Sequence, residues 1–403
     1  MLSLATGIIG IYFLGQQGSL DVENTHPVFQ RLFIGSYSFI VYIVKSLVPF
    51  NLSAIYPYPP EINIIHYLSM IPAMAILIVA IISYKKNKII TFGILFFTLN
   101  IVFVLQVIGA GQGFIADRFS YIPYIGLFFI YALFIEKAIE KFINKRIFIY
   151  SALSAFVVVF FIITLNRIKV WENSETLWND VKEKEPTAAI AYYNLGDFYR
   201  KKNENEKALM NYNIAIKLEP NNPMIYNNRG EIYFSRQEYD LALADYNKSL
   251  SVDPDFSNAL ANRGAVYGIT KQYDKALEDL SKAISNNPND AMALSNRGFV
   301  YFNQNENEKA IQDFNASIQL NPNNGDILNM LGLSYARLKE YDKAIACYNH
   351  SIQLEPAKAL YYMNRSFAYN AKDDKSNALK DARQAQQLGL NVIQAYMDML
   401  TKQ

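Results

Sequence analysis

From residue 189 onward the sequence repeats itself every 34 residues, and nothing else in the chain constrains its fold as much. Glycine recurs at Gly196, Gly230, Gly264, Gly298 and Gly332, with Ser366 in the sixth place. Tyrosine follows three residues later, at Tyr199, Tyr233, Tyr267, Tyr301, Tyr335 and Tyr369. Alanine follows nine residues beyond that, from Ala208 through Ala242, Ala276, Ala310 and Ala344 to Ala378. Pro220, Pro254, Pro288, Pro322 and Pro356 close the first five units, and Leu390 stands where a sixth proline would fall. Such a period is one supersecondary unit long. The spacing predicts two antiparallel helices per unit. Gly and Ala are small where the helices approach closely, and Tyr fills the space between, together with Tyr212, Tyr246, Phe314 and Tyr348 of the second helix. Proline ends the second helix because it cannot continue the hydrogen-bond ladder. One such unit cannot bury its apolar face alone, so the units stack into a solenoid.

This pattern resembles the tetratricopeptide repeat. Six units cover residues 189–392. A half-unit, NSETLWNDVKEKEP, precedes them within a junction at 171–188, with Trp178 and Pro186 in register. Asn173 is placed to cap its helix, and residues 393–403 read as a terminal capping helix.

A second pattern runs through the array. Two residues before the Gly, or before Ser366, stands Asn194, Asn228, Asn262, Asn296 or Asn364; the fifth unit has Met330 there, with Asn329 beside it. On a helix this position shares a stripe with the residues four before and three after it, offset from the Gly/Tyr packing stripe. Stacking aligns the amides along one groove. An amide offers a donor and an acceptor and so grips a peptide bond whatever its side chain. The array resembles repeat proteins whose inner surface carries such an asparagine ladder for extended peptides. The competing reading is a structural bond from each Asn to the neighbouring helix. Arg229, Arg263, Arg297 and Arg365, one step on, are expected to cover the seam between repeats with their stems.

Residues 1–170 differ sharply from the array. They hold 12 Lys/Arg against 6 Asp/Glu, whereas the remainder holds 26 against 30. Neither part shows the concentrated basic stripe of a nucleic-acid surface. Ile64–Ser83, Ile89–Ile108, Tyr121–Ile135 and Ile147–Leu165 are apolar runs approaching the ~20 residues a bilayer-crossing helix requires. Val28–Phe50 is a fifth, weakened by Lys45 and Pro49, and Met1–Leu14 is short for a crossing. The expected architecture is therefore all-α: a multi-pass transmembrane bundle over 1–170, followed by the solenoid. The loops bearing Lys85, Lys86 and Lys88, and Lys137, Lys141, Lys145 and Arg146, lie two crossings apart and belong on the cytoplasmic side. The array then faces outward, against the weaker signal of Arg167 and Lys169. The richness in Ile, Asn and Lys fits an AT-rich bacterial genome, and with it a bacterial inner membrane.

Between two apolar runs lies GFIADRFSYIP, where Asp117 and Arg118 stand side by side at an external loop's end. They read either as an ion pair anchoring a helix end at the water boundary or as contacts for an anionic, lipid-linked phosphate. GFIADRFSYIPYIGL, the junction VWENSETLW, the repeats and LVPFNLSAIYPYP together resemble the transmembrane and tetratricopeptide-repeat proteins. These are similar to GT-C glycosyltransferases, which take sugar from a polyprenyl-phosphate donor at the external face. That resemblance implies a phosphate-contacting role for Arg118. The family's catalytic carboxylate lies in a first external loop, and nothing around Asp21 or Glu23 matches that acidic motif, so the catalytic residues are left unassigned.

Other chemistry is sparse. There is no phosphate-binding glycine loop and no paired-cysteine motif, Cys347 is the sole cysteine, and His26, His66 and His350 lack metal spacing. No cofactor or metal is expected. The expected function is a membrane-anchored repeat protein that binds a protein or extended peptide in its groove; the alternative is the C-terminal part of a lipid-donor protein O-glycosyltransferase whose array presents the acceptor.

Overall fold

The computed structural model describes residues 27–59, 61–102, 105, 115–117 and 120–401. Met1–Leu14, Asp21, Glu23 and Arg118 therefore lie outside the described residues. Among the described residues the secondary structure is helical, apart from one isolated antiparallel bridge between Tyr56 and Ile115. The chain divides into two compact units, residues 1–219 and 220–403.

The first unit begins with α1 (Val28–Leu47), α2 (Ile64–Ser83), α3 (Lys88–Ile101), α4 (Tyr121–Lys141) and α5 (Arg146–Val170). Side-chain caps start two of them: Asn63 accepts from the Ile65 amide at 3.1 Å, and Asn87 accepts from the Ile89 amide at 3.1 Å. Each cap satisfies a backbone donor that the first helical turn leaves open. α3 and α4 cross at two glycines. A Cβ on Gly93 would come within 2.5 Å of the Gly126 carbonyl oxygen, and one on Gly126 equally close to that of Gly93. Small residues at a helix crossing let the two backbones approach closely enough to gain dispersion contacts over their whole length. Phe39, Tyr42, Phe97, Ile101 and Leu127 fill the space between α1, α3 and α4.

Three apolar segments, Ile64–Ser83, Tyr121–Lys141 and Ile143–Val170, are long enough to cross a membrane. Two further segments stand apart from these three, and one expected loop is replaced by helix. α1 has the length but buries Arg31, Ser38, Lys45 and Ser46, and falls outside that set. α3 is described from Lys88 to Ile101, and most of the remainder of the expected span to Ile108 lies outside the described residues. The expected loop at 136–146 is mostly helix: α4 runs on to Lys141, and only Phe142–Lys145 turns the chain into α5. Glu136, Lys137, Glu140 and Lys141 are good helix formers, and Lys141 sits in the last turn, where a cation meets the negative end of the helix dipole. α5 has no buried residue.

α6 (Ser174–Lys184), α7 (Ala189–Lys201) and α8 (Asn205–Leu218) complete this unit. Asn173 caps α6 as the sequence suggests, its side chain accepting from the Thr176 amide at 3.0 Å. The second unit holds five helix pairs and a short last helix. The first helices are α9 (Pro223–Ser235), α11 (Ser257–Ile269), α13 (Ala291–Asn303), α15 (Gly325–Arg337) and α17 (Ala359–Ala371). The second helices are α10 (Tyr239–Val252), α12 (Tyr273–Asn286), α14 (Asn307–Leu320), α16 (Tyr341–Leu354) and α18 (Lys375–Gln387), with α19 (Gln394–Thr401) last. In three of these pairs the small residue meets an aromatic as expected, Gly230 on Tyr246, Gly298 on Phe314 and Gly332 on Tyr348, whereas Gly264 meets Leu280. A Cβ on Gly230 would fall 2.6 Å from a ring carbon of Tyr246, which is fully buried.

The turn inside each pair has a feature that the sequence pattern conceals. Asn203, Gln237, Lys271, Asn305, Lys339 and Asp373, again 34 apart, adopt φ between 60° and 64°. Each is the left-handed residue of a Schellman cap. In one of them the Glu238 amide donates to the Tyr233 carbonyl at 2.9 Å, and the Gln237 amide donates to the Phe234 carbonyl at 2.9 Å. The carbonyl of the signature tyrosine thus terminates the first helix.

Candidate functional site

Successive first helices in the second unit pack on one another, α9 on α11, α11 on α13, α13 on α15 and α15 on α17. They therefore line its inner side. The asparagines on this side fall into distinct states. The Asn262 amide donates to Asn227 Oδ1 at 3.0 Å and to Glu231 Oε1 at 3.3 Å. Asn227 in turn donates to Glu231 at 3.0 Å and to Asn228 Oδ1 at 3.2 Å. The Asn364 amide donates to Asn329 Oδ1 at 2.8 Å. These are amide-to-amide bonds from one repeat to the next. They form where the preceding unit has Asn three residues before its glycine, as at Asn227 and Asn329. Ala261 stands at that place before Asn296, and Asn296 makes no hydrogen bond among the described residues. The Oδ1 atoms of Asn262, Asn296 and Asn364 all remain without a donor there, on half-buried side chains. Asn194, in the first unit, donates back to the Ile190 carbonyl of its own helix at 2.8 Å. Sequence reading located the row but missed the pairing rule, whose signal is the residue three before each glycine.

The arginines beside this row act through their heads, and the expected stem contact is only part of their role. Arg229, Arg263, Arg297 and Arg365 each clasp the aspartate sixteen residues on, Asp245, Asp279, Asp313 or Asp381, with Nε and one Nη. The other Nη reaches the preceding unit: Arg263 to Asn247 at 2.7 Å, Arg365 to Asn349 at 2.6 Å, Arg297 to Ser281 at 3.3 Å. The hydrogen bonds it donates to Asp279 hold the Arg263 guanidinium above its ordinary pKa. The fifth unit replaces the pair with Leu331 and Cys347, packed in one apolar cluster. Its link to the fourth unit is Arg337, whose guanidinium lies 3.4 Å over the Phe302 ring centroid and donates to the Phe302 carbonyl at 2.5 Å.

Asp117 has a different partner from the one its neighbour in sequence suggests. Lys45 Nζ lies 3.1 Å from Asp117 Oδ1, with the lysine side chain buried. The other carboxylate oxygen accepts from the Ser53 amide at 2.7 Å and from the Tyr56 hydroxyl at 2.9 Å. Burial, and then the Asp117 charge, pushes the Tyr56 phenol far above its usual pKa and keeps it a donor. Tyr42, fully buried, brackets Ala116 by accepting from its amide at 3.0 Å and donating to its carbonyl at 3.1 Å. This network fixes the segment after α1, and that segment reaches the start of the array. Ala54 is fully buried in a cluster with Val181, Ala188 and Ala191, flanked by Ile55, Leu177 and Trp178. Lys184 donates to the Leu52 carbonyl at 2.7 Å, and Asp180 joins Lys184 to Arg167. Arg167, which opposed the charge rule for orientation, thus has a structural partner.

The geometry agrees with comparison to known proteins. Residues 223–256, 257–290, 291–324 and 325–358 each match the sequence model of the tetratricopeptide repeat, and 196–235 match a second tetratricopeptide-repeat model. The array is therefore built of tetratricopeptide repeats. No curated protein matches the chain in sequence. Among solved structures, the chain is similar to one in the crystal structure of the APC/C hetero-tetramer Cut9–Hcn1, at 19% identity and a TM-score of 0.51, over 57% of this chain and 46% of that one. At that identity the likeness concerns the fold. It is also similar to a Pseudomonas aeruginosa pilF structure (21% identity, TM-score 0.47, 52% and 95% of the two chains). A third is YrrB, described as a TPR protein with an unusual peptide-binding site (22%, 0.39, 44% and 92%).

Proposed function

We propose that residues 1–170 anchor this protein in a membrane and that its repeat array binds a protein or an extended peptide on the extracytoplasmic side. The observation carrying the binding reading is the row of half-buried amides on the inner helices, of which Asn262, Asn296 and Asn364 keep open acceptors. An extended backbone presents N–H groups that those acceptors match. Asn228, tied to Asn227, is the fourth member of the row. The three long apolar segments support the anchoring. Asp117 is engaged by Lys45, so a lipid-phosphate contact in that segment falls to Arg118.

The test uses the full chain in lipid nanodiscs with fluorescein-labelled, unstructured peptides. Replacing Asn262, Asn296 and Asn364 together by Ala lowers peptide affinity while helix content stays constant; unchanged affinity overturns the binding surface. Orientation is tested separately. Single surface thiols in a Cys347→Ser background react with an impermeant maleimide in osmotically opened envelopes with sealed inner membranes; labelling only after detergent reverses the topology.

A further inference from the structure

The open amides of the inner face do not stand alone. On α13 the stripe reads Met292, Asn296, Phe299, and on α17 it reads Leu360, Asn364, Phe367, with spacings of four and three that keep each set on one helix face. The four apolar side chains are 40–54% exposed. In the second unit the first helices carry six such large exposed apolar residues, including Met224 and Ile269, whereas the second helices carry two, Leu241 and Leu320. The apolar surface is thus concentrated on the side that carries the amides. It is also uncharged: the stripes of α11, α13 and α17 hold no Asp, Glu, Lys or Arg. The acidic residues on the stripes of α9 and α15 are engaged, Glu231 by Asn227 and Asn262, and Asp326 by Lys358 and Tyr361.

We propose that this face selects an extended, uncharged polypeptide segment with apolar or aromatic side chains; the inference rests on the peptide-binding reading above. The amides hold the ligand backbone, and the apolar residues flanking Asn296 and Asn364 receive its side chains. α13 and α17 are two first-helix packing steps apart, at about 8–10 Å per step, which matches about six residues of extended chain at ~3.3 Å each, an even number that keeps both side chains on one face. The preferred ligand therefore carries apolar side chains about six residues apart. A charged ligand side chain would lose hydration against Met, Leu and Phe with no opposite charge to meet it.

The experiment compares three series of labelled peptides on the full chain in nanodiscs, identical except that every sixth residue is Phe or Leu, Ser, or a charged residue (Glu or Lys). The apolar series binds at least tenfold tighter than the others. Phe299→Ser and Phe367→Ser each weaken it about tenfold, the scale of one buried apolar side chain, and Leu241→Ser on a second helix leaves it unchanged. Equal or tighter binding of a charged series, or indifference to Phe299→Ser and Phe367→Ser while Asn296→Ala still weakens binding, overturns the apolar selectivity and leaves peptide binding standing. Failure of every series to bind a chain of native helix content overturns both.

Discussion

Arg263 grips Asp279 with two parallel hydrogen bonds, Nε to Oδ2 at 2.7 Å and one Nη to Oδ1 at 2.8 Å, while its other Nη holds Asn247 of the preceding repeat. One side chain thus closes its own helix pair and the seam to its neighbour. Asp279→Ala leaves a half-buried guanidinium short of its partner and costs about 2 kcal/mol, within the range for charged hydrogen bonds. The fifth unit shows the apolar solution at the same two places, Leu331 with Cys347. Arg263→Leu combined with Asp279→Cys therefore recovers most of the loss. Urea unfolding of the three proteins checks this; a double variant weaker than Asp279→Ala contradicts it.

Lys45 and Asp117 set up a second test. Removing one member of a buried ion pair strands the other, so Lys45→Met destabilises by about 3 kcal/mol. Adding Asp117→Leu relieves part of that cost. Because the Asp117 network fixes Ser53 and Tyr56, and Ala54 packs in the cluster that Trp178 flanks, Lys45→Met also shifts Trp178 emission to the red in a Trp171→Phe background. An unshifted spectrum means that the loop docks without the ion pair.

Cys347 is half-buried, and desolvation pushes its thiol up to about 11. At neutral pH it carries almost no thiolate, the species that reacts. The native chain is expected to react with a disulfide reagent far more slowly than the urea-unfolded chain, and raising the pH toward 9 narrows the gap only slightly.

Asp326 accepts from Lys358 at 2.8 Å and from Tyr361 at 2.7 Å, and these bonds, the lysine's first, hold its carboxyl below the usual value. A lowered folded-state pKa means that the contribution to stability is present above the unfolded carboxylate pKa and is lost as pH falls through the folded value. Asp326→Asn should flatten that part of the acid limb of a Tm-against-pH curve and leave the neutral plateau nearly parallel to the parent's.

Lys271 sits at φ 62° in the turn between α11 and α12. A side chain there costs about 1 kcal/mol relative to glycine. Lys271→Gly removes the strain at the cost of extra unfolded-state entropy, and the net expectation is a small rise in Tm. A fall of several degrees means that the lysine side chain contributes contacts worth more than the strain.

The solenoid was legible because its signals are local and repeated: Gly230 against Tyr246 is one of four contacts between a glycine and a ring, with Gly196, Gly298 and Gly332 making the others. Asp117 was not, since its partner lies 72 residues upstream and no periodicity links them. The Schellman turns escaped notice because Gln237, Lys271 and Lys339 are not residues that advertise a left-handed backbone. The asparagine row was visible as a column of residues, but whether an amide is spent on its neighbour depends on the residue 35 positions earlier, as with Asn227 before Asn262 and Ala261 before Asn296.

The plug formed by Ala54 has a consequence for how such a chain diversifies. With the leading surface of the stack sealed by a segment from another part of the chain, duplication or loss of a unit there would break a joint made by residues more than a hundred positions away. The last unit is likewise joined to α19, where Tyr396 meets Ser366. Units between the two joints meet only other repeats, so variation in length, and with it in the ligand accommodated, is free to accumulate in the middle of the stack.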